Sequence, residues 1–181
     1  VLFRSYDSDD SKRLMTMIIK DASLDLKEFS PRGVLNVISN WKNELVGPIG
    51  ALDEAQRDSN PHTAQIATLY KTYQNRLRAA NAVDFDDLIG EVVAILTNNP
   101  DVRDHYRRRF RHIMVDEYQD TNHAQYELVA ALAGKGKAES ELCVVGDADQ
   151  SIYAFRGATI RNIEEFERDY PSATTIMLEQ N

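Results

Sequence analysis

Apolar residues recur at helical spacing over the first 110 positions of the chain and gather into short continuous runs after them. Leu14, Met15, Ile18 and Ile19 form one face of a predicted helix that starts at Ser8-Asp9-Asp10. Ser30-Pro31 opens a second helix, with Val34, Ile38, Trp41 and Leu45 on its apolar side and Gly47-Pro48 as its end. Residues 51–62 are polar and finish in Asn60-Pro61, which predicts a loop. Ile66, Leu69, Tyr70, Tyr73 and Leu77 then mark one side of a long helix. NAVDFDDLIGEVVAIL carries another, with Phe85, Leu88, Ile89, Val92, Val93 and Leu96 as core candidates, and Asn99-Pro100 opens one more. Aromatic residues at this spacing are core far more often than a stacking platform, so Trp41 and the tyrosines receive no functional assignment.

After residue 110 the runs HIMVDE and ELCVVGD end in acids, and ATTIMLEQN is a third run with β-branched residues. Tyr126, Leu128, Val129 and Leu132 mark a helix between the first two runs. Ile160, Ile163 and Phe166 mark one between the second and third, closed by Pro171. Strand, helix, strand, helix, strand is the alternation of a parallel α/β sheet with buried strands. Ligands bind such sheets outside the carboxyl ends of the strands, which brings Asp116-Glu117 and Gly146-Asp147 to one edge.

The chain has 181 residues, 43% of them apolar, enough for one domain with a core or two small ones. No window reaches the apolar length of a membrane span and the N-terminus lacks a secretory pattern, so the expectation is a cytoplasmic protein with no membrane partner. Cys143 is the only cysteine, which excludes disulfides within the chain, and its place in LCVV predicts a small core hydrophobe. Twenty-one basic against 29 acidic residues give a net charge of -8, which argues against coating nucleic acid by bulk attraction. Arg103, Arg107, Arg108, Arg109 and Arg111 are the densest basic group. Taken alone they read as the solvated end of a helix, with phosphate contact as the sharper alternative.

A strand that ends in Asp-Glu at the binding edge suits nucleotide hydrolysis. Magnesium takes one or two carboxylates plus phosphate oxygens and waters. Asp116 is suited to hold the ion and Glu117 to position or activate the attacking water, although a lone Asp-Glu pair is most often just solvated. VVGDADQSIYAFRGA shifts that balance, because it places a glycine, two carboxylates, Gln150, two aromatics and Arg156 within a dozen residues. Gln150 is suited to sense a terminal phosphate, and Tyr153 and Phe155 to offer ring faces to unpaired bases.

DEYQDTN at 116–122, GDADQSIYAFRGA at 146–158 and LEQN at 178–181 resemble successive motifs of the UvrD/PcrA/Rep family of superfamily-one DNA helicases, in that family's order. NAVDFDDLI at 81–89 resembles the segment that precedes them. The resemblance implies a partial RecA-like parallel sheet of P-loop NTPase type with an all-α inserted subdomain. It places the helical, 1B-like insertion at 1–110 and the C-terminal part of motor domain 1A at 111–181. It makes Asp116 the Walker B magnesium carboxylate and Glu117 the catalytic base. Gln150 couples the γ-phosphate to DNA, Arg156 belongs to the nucleotide-responsive network, and Tyr153 and Phe155 face single-stranded DNA. Gln119, Asp120 and Asp147 match motif positions without individual roles. The family often has tryptophan at the position of Phe155.

The implied cofactors are ATP and Mg2+. The implied partners are single-stranded DNA, single-strand/duplex junctions and repair or replication proteins. No G-x-x-x-x-G-K-[ST] phosphate loop occurs in the chain, since the lookalike AGKGKAES lacks the first glycine and the hydroxyl residue. The last four residues stop where the family motif continues with Tyr-Arg-Ser. The expectation is therefore a helicase fragment that does not hydrolyse ATP by itself. Two alternatives stand beside it: the motor part of a RecB/AddA-like helicase-nuclease, and a binding module for DNA or a partner that never hydrolyses nucleotide.

Overall fold

Asp7, one residue ahead of the expected start, caps the first helix: its Oδ1 accepts the N–H groups of Asp9 and Asp10 at 2.9 and 2.8 Å. The computed structural model describes residues 3–134, 140–147 and 166–177. The chain forms two compact units, Val1–Ala94 and Ile95–Asn181.

In the first unit, helix α1 spans Ser8–Asp21, α2 Pro31–Asn43, α3 Pro48–Arg57 and α4 Pro61–Ala79. Three of them carry proline in their first turn, where its missing N–H costs nothing. Ser30 caps α2 through Gly33 N–H at 3.1 Å, and Asn60 caps α4 through His62 N–H at 3.0 Å. The expected loop over 51–62 is corrected by α3. Pro48 ends the run before it and starts this helix, and Ala51 and Ala55, one turn apart and fully buried, let α3 lie close on α4. Met15, Ile18, Ile19, Val34, Ile38, Ile66, Leu69, Tyr70, Tyr73 and Leu77 make one core, as the spacing predicts. Two-residue strands β1 (Arg4–Ser5) and β2 (Ala82–Val83) pair in parallel, too short to register in the apolar pattern.

Helix α5, Phe85–Asn98, begins at the DFDD segment. Asp84 Oδ1 accepts Asp87 N–H at 2.9 Å and Asp87 Oδ2 accepts Asp84 N–H at 3.3 Å, a reciprocal capping box. Lys42 Nζ lies 2.6 Å from Asp84 Oδ2 and 2.8 Å from Asp87 Oδ1. Tyr73 Oη donates to Asp84 at 3.1 Å, and Gln74 Nε2 donates to both Asp87 oxygens at 3.1 Å. Of the expected α5 core residues only Val93 and Leu96 are buried. Phe85, Leu88 and Val92 are exposed, because the face turned inward at the helix start is the acidic one.

The second unit contains α6 (Pro100–Arg109), β3 (His112–Val115), a 3-10 turn (Tyr118–Asp120), α7 (His123–Ala133) and β4 (Glu141–Val144). β3 and β4 are parallel, paired His112 to Glu141 through Val115 to Val144. The expectation of fully buried strands is corrected. Ile113, Leu142, Val115 and Val144 are half-buried on one face, whereas Met114 and its partner Cys143 are exposed on the other. The thiol is therefore a surface group and not a core hydrophobe. On α7 the buried stripe is Ala124, Tyr126, Ala130 and Ala133, with Leu128, Val129 and Leu132 only half-buried. Residues 166–169 are helical and Pro171 follows in a turn. Residues 173–177, expected as part of a third strand, form none, and Ile176 and Met177 are exposed. Ile160, Ile163 and residues 178–181 lie outside the described residues.

Candidate nucleotide site at the carboxyl ends of the parallel strands

The parallel ladder runs past the last residue of each strand. Val145 N–H donates to Val115 O at 2.8 Å and Tyr118 N–H donates to Val145 O at 2.9 Å. The chain must turn sharply at this point, and it does so at Glu117, whose φ of 49° and ψ of 45° are left-handed. Among the described residues four other non-glycine residues have positive φ: Ser23, Leu45, Ser59 and Asn81. Each of those follows a helix end and donates to a carbonyl three residues back, the usual way to close a helix. Glu117 alone follows a strand, and such a conformation costs on the order of 1–3 kcal/mol at a residue with a Cβ. Among the described residues this strand-end strain falls on a carboxylate at the carboxyl end of β3.

Asp116 and Glu117 are both exposed. Asp116 Oδ1 accepts Glu117 N–H at 2.9 Å, which orients the Asp116 carboxylate. Behind them the turn is closed by Asp120 N–H to Glu117 O at 2.9 Å and by Thr121 Oγ1 to Tyr118 O at 2.7 Å. Asn122 and Gln125 form a full capping box at the start of α7, at 2.9 and 3.0 Å. Asp120 points outward and contributes through its backbone. Gln119 is 2% exposed, and its side-chain amide spans the two strand ends: Nε2 donates to Glu117 Oε2 at 2.7 Å and Oε1 accepts Asp147 N–H at 3.0 Å.

Asp116, Glu117 and Asp147 are therefore gathered at one edge, as the alternation of strands predicts. Gln150, Tyr153, Phe155 and Arg156 fall outside the described residues. Among the described residues no three His, Cys, Asp or Glu side chains converge as a metal cage. A lone oriented carboxylate fits magnesium, which keeps most of its water and takes few protein ligands. Of the arginine group, Arg107, Arg108 and Arg109 occupy the last turn of α6, and Arg107 is held internally by Ala131 O at 2.8 Å. A cavity of ≈ 220 Å³ lined by Lys42, Tyr70, Gln74 and Asp87 lies wholly in the first unit. The spanning role of Gln119 was not readable from the sequence, because it depends on which backbone N–H meets its carbonyl.

Two parallel strands followed by carboxylates within a largely helical chain make a partial RecA-like α/β sheet. A family model described as the UvrD/REP helicase N-terminal domain matches residues 2–171, and the chain belongs to that family. It is 61% identical over 183 residues to the ATP-dependent DNA helicase UvrD1 of Mycobacterium tuberculosis and 59% identical over 186 to that of Mycobacterium leprae. It is 48% identical over 179 residues to the ATP-dependent DNA helicase PcrA of Staphylococcus aureus. Each match covers 99% of this chain and 24% of the relative, so the chain spans about a quarter of their length. No helix among the described residues is long and apolar enough to cross a membrane.

Proposed function

We propose that the chain is part of a longer ATP-dependent DNA helicase that couples Mg-ATP hydrolysis to translocation along single-stranded DNA and to duplex unwinding in repair or replication. The single observation that carries the reading is the strained Glu117 beside the oriented Asp116 at the carboxyl end of β3. In this reading residues 1–110 are the helical insertion and 111–181 the later part of the first motor domain. Asp116 holds magnesium, and Glu117 accepts a proton from, or orients, the water that attacks the terminal phosphate. Magnesium, when bound, would draw charge from the phosphate oxygens. Gln150 and Arg156 respond to the nucleotide, and Tyr153 and Phe155 stack unpaired bases. Those four assignments rest on the family resemblance.

The deciding measurement is Glu117→Gln in the full-length protein. DNA-stimulated phosphate release should fall by about 10²–10⁴-fold, the usual contribution of a general base, while ATP binding is retained. Normal turnover by this variant would overturn the assignment. The 181-residue chain by itself, given magnesium, ATP and single-stranded DNA, should release no phosphate above background. Turnover that Glu117→Gln abolishes would refute that second expectation.

A further inference from the structure

Gln119 sits between the two acidic strand ends and is buried, with both ends of its amide hydrogen-bonded. We propose that Gln119 is the positioning residue of this site: its amide clamps the Glu117 carboxylate to the end of β4, leaving Glu117 Oε1 as the oxygen presented to the attacking water. The proposal rests on the reading of Glu117 as the base.

Glu117 is exposed and has a long side chain, so nothing in its own packing fixes the carboxylate. The contact from Gln119 Nε2 at 2.7 Å supplies that constraint, at the short, charge-assisted end of the range. The other end of the same planar amide is fixed by Asp147 N–H at 3.0 Å, so the carboxylate is referenced to β4 and not merely to its own turn. A carboxamide of this length offers a donor at one end and an acceptor at the other, which matches the two partners. Glutamate has no donor when ionised and would set a second charge against Glu117. Asparagine is one methylene short of spanning both partners. Leucine makes neither contact.

Gly146 gives an independent sign that this approach is built in. A Cβ at that position would lie 2.8 Å from Gln119 Oε1, 3.3 Å from Gln119 N and 3.4 Å from Tyr118 Cβ. Its φ is not among the positive values, so the glycine serves close approach and not an unusual conformation. The backbone just after β4 thus passes the amide at a distance that a Cβ would not allow unless the amide shifted.

The test uses the full-length protein with Gln119→Leu and Gln119→Asn, and with Gly146→Ala in the parent and in a Gln119→Ala background. For both Gln119 variants, kcat of DNA-stimulated ATP hydrolysis should fall by about 10–100-fold, the effect of a misplaced reacting group, with the ATP KM within about threefold. In the nucleotide-free protein the Asp147 amide should exchange at least about tenfold faster once its acceptor is removed. Gly146→Ala should lower kcat in the parent and have a smaller effect after Gln119→Ala, because the 2.8 Å clash with the side-chain oxygen is gone while the 3.3 Å contact with the Gln119 backbone remains.

Wild-type kcat in a folded Gln119→Asn protein, unchanged Asp147 exchange, or fully multiplicative effects of Gly146→Ala and Gln119→Ala would each overturn the proposal. Should Gln119→Leu fail to fold, Gln119→Asn and the Gly146→Ala pair decide it. Glu117→Gln run in parallel separates the two claims. If that variant keeps turnover, the base assignment fails, whereas if it is inactive while the Gln119 variants turn over normally, only the clamp fails.

Discussion

Replacing Lys42 by methionine removes the buried cation that faces Asp84 and Asp87 in the first unit. The side chains of Lys42, Asp84 and Asp87 are 5%, 11% and 8% exposed, and Nζ sits 2.6 and 2.8 Å from the two carboxylates. Methionine fills a similar volume, so the packing loss is small, but it leaves two carboxylates facing each other without a cation. Removing one partner of a buried pair costs about 3–5 kcal/mol, far more than the pair is worth against an apolar replacement, because the remaining charge stays desolvated. Tyr73 and Gln74 still donate to the carboxylates, which offsets part of the loss. Trp41 reports on this unit alone: it is the only tryptophan, its ring stacks on Tyr70 at 6.0 Å, and its Nε1 donates to Glu54 at 3.1 Å. Urea unfolding followed by Trp41 fluorescence reads the change without added ionic strength. With an m-value of about 1.5–2 kcal/mol/M, the midpoint should drop by roughly 1.5–3 M. A change worth less than about 1 kcal/mol, the range of solvated pairs, would refute the claim that this cluster is dry and holds the DFDD segment in place.

Ser30→Ala, read with the same probe, should cost about 1 kcal/mol through loss of the Gly33 N–H acceptor, and an unchanged midpoint would show that the cap contributes nothing. Burial first, and then the carboxylates of Asp87 at Tyr70 and of Asp84 at Tyr73, raise both phenols above their ordinary value of 10.0. An unfolded tyrosine ionises near 10 while the folded one does not, so this stabilisation is complete below about pH 10 and lost as pH rises beyond it, by up to about 1.4 kcal/mol per pH unit per group. Tyr70→Phe should therefore flatten the fall in urea midpoint between about pH 10 and 11.5, and an identical slope in the variant would refute it.

The parts of the fold that were legible in the sequence are those whose cause is local. Ser30 and Asn60 cap the helices they precede, and Met15, Ile18, Ile19, Ile66, Leu69 and Leu77 pack where a 3.6-residue period puts them. The meeting of Asp116-Glu117 with Gly146-Asp147 followed from strand alternation, because a parallel pair has only one carboxyl edge. What was not legible depends on partners distant in sequence. Helix α3 buries only the small residues Ala51 and Ala55 against α4, which a periodicity of large apolar residues does not register. Lys42 lies one turn beyond Ile38 on the buried side of α2, yet it reads as a polar residue until Asp84, 42 positions away, is placed against it. The exposure of Met114, Cys143 and the apolar side of α5 likewise depends on what packs there, which no run of residues states.

DFDD and DEYQD look alike in the sequence, both acidic clusters beside apolar runs, and the structure separates them by what neutralises the charge. At 84–87 the two inward carboxylates cap their own helix, meet a buried ammonium and accept from a tyrosine and a glutamine. Every oxygen has a protein donor, so the charge is answered within the fold. At 116–120 the carboxylates are exposed, and among the described residues no lysine or arginine pairs with Asp116 or Glu117, while the backbone N–H of Glu117 and the amide of Gln119 donate to them. A group of anions held in place by neutral donors at a strand end, in a strained turn, has its charge left for something that arrives. This difference, more than the acidity the two segments share, is why the proposed catalytic roles fall on Asp116 and Glu117, whereas Asp84 and Asp87 cap α5 and pair with Lys42.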